Sequence, residues 1–236
     1  MKRKLLAVPV ALGVLVAYAL VPAIAAAIND PDLTQPTGTM LTTGSKFKGT
    51  NVGAAPTFTT YAGSALLQCT KSELTGTLTK NNGTEVEADI ETLSVSGTGP
   101  EGRCTGTGVF PPTHWIFNPG TNGLPWCLRS TPTMKDDEVQ IRGGSCTAAS
   151  RPIRLVQHTT IATSEKPTDV LECVYERTAA ITGTYSTHPE DAILNLSGAE
   201  WVRTEGGITC AAAWTVDLGL LTLERDEATT APFYIS

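Results

Sequence analysis

The sequence predicts an all-β fold: an antiparallel sandwich or barrel built from two related β units and stapled by disulfides. Three observations predict it. Apolar and polar residues alternate with period two in segment after segment. Six cysteines, an even number, all follow an export-type leader. One phrase is written twice, as "LLQCTKSELTGTLT" at Leu66–Thr79 and as "LECVYERTAAITGTYS" at Leu171–Ser186.

The chain opens on a signal peptide, residues 1–27. Lys2, Arg3 and Lys4 precede an apolar run from Leu5 to Leu20, and "AIAAA" at Ala23–Ala27 offers small-residue cleavage sites. Leu5–Ile28 is uncharged and long enough to span a bilayer as an uncleaved anchor, but Pro9, Gly13 and the small residues at its end favour cleavage. Loss of the leader leaves 14 basic residues against 23 acidic ones, a net charge of about −9. Such a chain has no surface for tracking phosphates, so nucleic acid is not an expected partner. The membrane enters only through the leader during export.

Residues 28–44 form a polar, Pro/Thr-rich lead that grades into a first strand near Lys46–Val52. A free strand there could add to a neighbour's sheet edge. The first β unit, residues 45–118, holds "EVEADIETLSVSG", in which Val86, Ala88 and Ile90 share one face. Residues 119–150 read as a disulfide-bridged connector, with two strands about an Asp136-Asp137 turn. Pairing Lys135 with Glu138 there sets Cys127 opposite Cys146. The second unit, residues 151–236, contains "AILNLSGAEWV" and "AAAWTVDLGLLTLE". In the latter, Trp214, Val216, Leu218, Leu220 and Thr222 fall on one side. No stretch after the leader keeps a helical period.

The order of features repeats. Cys69 and Cys173 lie 104 residues apart, the Thr-Gly-Thr triplets 107, and Cys104 and Cys210 106. A tryptophan follows each second cysteine, Trp115 and Trp214. If the copies share a fold, Cys69–Cys104 and Cys173–Cys210 are equivalent bridges and Cys127–Cys146 is the third. Disulfides belong to exported chains. Without a C-x-x-C, neither a redox motif nor a zinc knuckle is expected.

Leu67–Thr79, Cys104, "PWCL" at Pro125–Leu128 and "FYIS" at Phe233–Ser236 resemble a family of uncharacterised exported, β-rich, cysteine-bearing proteins of high-GC Gram-positive bacteria. The resemblance implies export and a β fold, and brings no activity or site residues with it.

No reaction is written in the chain. His114, His158 and His188 are separated by 44 and 30 residues, which is no metal spacing, and no metal or other cofactor is expected. "GGSC" at Gly143–Cys146 is not a G-x-S-x-G elbow. The acids of Lys135–Glu138 and Pro189–Asp191 read as solvated turns. Asn82-Gly83-Thr84 and Asn195-Leu196-Ser197 are glycosylation sequons. The candidate binding residues are Trp115, Phe117 and Trp126, gathered around a Pro/Gly-rich turn, because aromatic faces on β scaffolds hold sugars and partners. The scarcity of aromatics favours core or inter-domain packing for them over binding. The expected function is a non-catalytic extracellular or cell-envelope module that binds a surface polymer or a protein. The alternatives are a secreted hydrolase and an assembling structural or pore subunit.

Overall fold

The computed structural model describes residues 33–34, 40–53, 55–60, 66–107, 113–120, 123–131, 133–134, 138–161, 171–187, 192–196, 198–225 and 234–235. The leader, the Asp136-Asp137 turn and His188 lie outside these residues. Strand β1 (Leu33–Thr34) stands apart, near the start of the described chain. The chain then runs up and down eight times, and each run is broken once. The runs are β2 (Lys46–Val52) with β3 (Thr57–Thr60), and β4 (Leu66–Gln68) with β5 (Lys71–Asn81). Next come β6 (Val86–Ser96) with β7 (Cys104–Thr107), and β8 (Thr113–Asn118) with β9 (Trp126–Ser130). The second half repeats the scheme with β10 (Glu138–Gly143) and β11 (Ile153–Ile161), then β12 (Leu171–Arg177) and β13 (Ile181–Thr187). It ends with β14 (Ala192–Asn195) and β15 (Ala199–Glu205), then β16 (Ala213–Asp217) and β17 (Leu220–Arg225). Finally β18 (Tyr234–Ile235) pairs with β1.

Pairing is antiparallel throughout and closes two rings. The first runs β2-β5-β6-β9-β10-β13-β14-β17 and back to β2, and the second runs β3-β4-β7-β8-β11-β12-β15-β16 and back to β3. Every run gives one strand to each ring, in the same circular order. The rings are therefore stacked halves of one up-and-down barrel, joined at a waist where all eight runs break. Closure leaves neither ring an open edge. Adding eight to each strand number maps the pairing pattern onto itself: β2–β5 becomes β10–β13, and β7–β8 becomes β15–β16. Residues 126–143 of the 119–150 segment supply two neighbouring strands of the first ring, so this segment is built into the barrel wall.

The alternation places one face inside, as the sequence implies. In β5, Ser72, Leu74 and Leu78 are buried while Lys71, Glu73, Thr75 and Thr77 face outward. In β6, Val86, Ala88 and Ile90 are buried, and a bulge then shifts the inward face to Leu93 and Val95. One hydrophobic core spans both rings. Phe58 and Phe117 stack with centroids 4.1 Å apart, and Trp214 meets Trp115 edge-on at 5.5 Å.

The Thr-Gly-Thr triplets now have a physical reading. Gly76 lies opposite Phe47, and a Cβ on it would come within 2.6 Å of the Phe47 ring and 2.4 Å of the Asp89 carbonyl oxygen. Gly183 lies opposite Val139, and its Cβ would come within 2.4 Å of the Asn195 carbonyl oxygen. In β5 and in its counterpart β13, the glycine leaves room for the backbone of the next strand, and in β5 also for the Phe47 ring.

Two expectations are corrected. The three bridges are Cys69–Cys104, Cys127–Cys146 and Cys173–Cys210, the pairing the repeat implies, but the register of the β9–β10 hairpin differs. Cys127 faces Arg142, not Cys146. Buried Ser130 donates its hydroxyl to the Glu138 carbonyl at 2.8 Å, where β9 ends and β10 begins. The chain turns at Gly144 and brings Cys146 back over β9, with the two Cα atoms 4.7 Å apart. The second correction falls at the waist between β16 and β17. Trp214, Val216 and Leu218 are buried, but Leu220 is 38% exposed, and Leu221 and Leu223 point inward instead. Gly219, at φ +77°, reverses the phase of the strand, and its N–H donates to Asp217 Oδ1 at 2.8 Å.

Candidate binding cleft

The three aromatic candidates are interior residues. Trp115 is 8% exposed, Phe117 2% and Trp126 2%. Trp115 and Phe117 fill the second ring against Trp214, while Trp126 lies against Trp201 with its indole N–H donated to the Gly123 carbonyl at 2.7 Å. Their rings form core, and no aromatic platform arises from them.

The barrel interior is filled as well. The void at the waist, lined by residues such as Phe58, Trp126, Leu155 and Trp201, is apolar and no roomier than about one water molecule. A carrier barrel needs several times that space for a small ligand.

An open cleft of about 700 Å³ lies on the outer wall of the first ring. Its lining is Glu85, Arg129, Thr131, Thr133, Met134, Glu138 and Gln140. Local sequence explains each position. Arg129 alternates with the inward Leu128 and Ser130, and Glu138 and Gln140 alternate with the inward Val139 and Ile141. Register then sets Glu87, Arg129 and Gln140 side by side across three strands. Glu85 closes the β5–β6 turn, where Asn82 Oδ1 accepts the N–H groups of Thr84 and Glu85 at 3.1 and 2.9 Å. The Glu85 carboxylate pairs with Lys80, which holds the Lys80 ammonium above its ordinary pKa. Gln140 donates to Glu138 Oε1 at 3.2 Å. The surface offers a guanidinium, an amide, hydroxyls and two carboxylates around one apolar residue, which suits hydrogen bonding to a polar ligand.

Other chemistry is sparse among the described residues. His158 Nδ1 lies 3.7 Å from Glu172 Oε2, an outward pair with no third ligand beside it. Asp89, Cys127 and Cys146 form a cluster within 4.8 Å, but the two sulfurs are bonded to each other, and only the carboxylate remains to ligate. Ser145 Oγ lies 3.3 Å from Thr147 Oγ1. Burial pushes the Tyr175 hydroxyl above its ordinary pKa, and hydrogen bonds from Lys48 and Lys71 hold Glu73 below its own. Tyr175 is a core residue and Glu73 an outer-wall ion pair, so neither faces a nucleophile.

The sequence did not single out Arg129, Glu138 and Gln140 as a group. Their only signal is alternation in "RSTPTMKDDEVQIR", which becomes a surface only once the hairpin register is known. No family model, curated protein or solved structure matches this chain.

Proposed function

We propose that the protein is an exported, non-catalytic barrel that binds a surface polymer or a protein partner through the cleft on its first ring. The observation that carries this reading is an open polar concavity on a barrel whose interior is filled. Three disulfides fit an oxidising, extracellular compartment. The leader supplies the route, and cleavage after Ala25 or Ala27 and kinship with the exported proteins of high-GC Gram-positive bacteria belong to the same proposal. So does internal duplication, supported by the matched glycines, Gly76 and Gly183. The outer wall of β5 and β6 carries Lys71, Glu73, Glu87, Asp89 and Glu91, the reverse of the apolar band on a membrane-spanning barrel. That charge and the filled interior speak against a pore subunit.

The test is co-sedimentation of the oxidised protein with purified cell-wall polymers and insoluble polysaccharides. The expected result is retention that an Arg129→Ala, Gln140→Ala variant loses while its circular dichroism is unchanged. Retention unaffected by the double change would remove the cleft from the reading. Failure on every polymer would leave protein partners as the ligand class. A hydrolase is the second reading, favoured by Glu85 and Glu138 lining one cleft, as two-carboxylate hydrolysis of glycosides requires. Reducing-sugar release abolished by Glu138→Gln would establish it.

A further inference from the structure

The three disulfides are not alike. Cys69, Cys104, Cys173 and Cys210 are all sealed in the core, whereas Cys146 is only half-buried and the loop after it, Thr147–Ser150, is exposed. We propose that Cys127–Cys146 is a reversible thiol-exchange site whose substrate is an external thiolate.

Four observations support this. Of the three bonds, only this one has a sulfur-bearing residue within reach of solvent, and access governs attack on a disulfide. It also closes the shortest loop, with a sequence separation of 19 against 35 and 37. Its β strand, β9, is already hydrogen-bonded to β10 and β6, so the ring stays closed without it. Third, Cys146 is held in place by more than its sulfur. Its N–H donates to Asp89 Oδ1 at 2.6 Å, and its carbonyl accepts from Arg142 Nη2 at 2.9 Å. Opening the bond leaves Cys146 beside Cys127, ready to re-form. Fourth, the other two bridges take up the remaining four cysteines, joining Cys69 before β5 to Cys104 in β7 and Cys173 in β12 to Cys210 in the turn after β15. No cysteine remains to give Cys127–Cys146 a counterpart.

The chemistry balances simply. The external thiolate attacks Cys146 Sγ, the Sγ–Sγ bond breaks, and its electron pair leaves on Cys127 Sγ, which takes a proton from water. The products are a mixed disulfide at Cys146 and a thiol at Cys127. Attack by Cys127 restores the bridge and expels the reagent as its thiolate. Attack by a second external thiol on the reagent's own sulfur instead leaves two protein thiols and the oxidised reagent. The fully buried sulfur, Cys127, is thus the resolving partner and the half-buried Cys146 the acceptor.

The test treats the folded, oxidised protein with reduced glutathione in one arm and a thioredoxin-type protein dithiol in the other. Alkylation and peptide mapping follow. The expected result is alkylation of Cys127 and Cys146 alone, or glutathione on Cys146, with circular dichroism unchanged. Opening only by the protein dithiol, or only by glutathione, would assign the source of the thiolate. Two variants read the asymmetry: with glutathione disulfide, Cys127→Ala should gain one glutathione at Cys146 at least about tenfold faster than Cys146→Ala gains one at Cys127. The proposal is overturned if neither reagent opens this bridge short of unfolding, if another bridge opens first, or if the two variants react equally.

Discussion

Trp214 donates its indole N–H to the side-chain oxygen of Gln157 across 3.1 Å, inside the second ring. Gln157 in turn donates to Thr159 Oγ1 at 2.8 Å, and all three residues are buried. A polar relay in an apolar ring is stabilising only while each member is satisfied. Gln157→Leu removes this acceptor of the indole N–H and should cost about 1–3 kcal/mol in urea denaturation. A loss under about 0.5 kcal/mol would mean that the relay contributes little.

The paired glycines make a second prediction. Gly76→Ala and Gly183→Ala each drive a methyl into a neighbouring carbonyl oxygen, and backbone yields less readily than a side chain. Each should lose about 1–3 kcal/mol or more. Gly49→Ala is the control, since its Cβ would meet only leucine side-chain atoms at 3.1 Å, and its loss should be smaller. Equal losses at all three positions would contradict the close-approach reading.

On the outer wall, Glu73 lies 2.8 Å from Lys48 Nζ and also pairs with Lys71. These bonds hold its folded pKa below the ordinary carboxylate value. The unfolded state therefore binds the proton more readily. The contribution is present above the unfolded pKa of about 4.3 and is lost as pH falls through the lower folded value. The pair is partly exposed, so the effect should stay within about 1 kcal/mol. Glu73→Gln should flatten the acid limb of a stability-against-pH curve below about pH 4.5 and leave the slope near pH 7 unchanged.

Removing bridges should rank them. Cys69→Ala with Cys104→Ala frees a loop of sequence separation 35 and empties two fully buried positions. The chain-entropy cost is about 4 kcal/mol, and cavity terms add to it. Cys127→Ala with Cys146→Ala frees a separation of 19, costs about 3 kcal/mol by the same estimate, and leaves the neighbouring strand pairing in place. Denaturant midpoints in the reverse order would contradict the structural division between the bridges.

Much of the fold was legible because it rests on period two and on cysteine order. Val86, Ala88 and Ile90 sit where alternation puts them, and the cysteines pair as the duplicated order implies. Register was not legible. Whether Cys127 faces Cys146 or Arg142 depends on where β9 ends, and the Ser130 hydrogen bond at that end is made only in the fold. The phase reversal at Gly219 is a single-residue event inside an alternating run. Trp115, Phe117 and Trp126 take the core-packing place that the scarcity of aromatics favoured over binding. A double ring with few aromatics needs Trp115, Phe117 and Trp126 to fill it, and composition alone does not say how much interior there is. Beyond alternation within each strand the cleft residues gave no signal as a group, because Arg129 meets Gln140 only across strands.

Both rings close through the same two runs, β2/β3 against β16/β17, so Val52 finds Leu220 only when nearly the whole chain is present. Folding thus carries a long-range loop-closure step that no local hairpin can replace. A nascent chain stopped short of β16 would expose two open edges on each ring at once, the surfaces most prone to sticking to one another. Order of synthesis and order of closure are therefore opposed: the first strands made must wait for the last, and the barrel is completed in one late event.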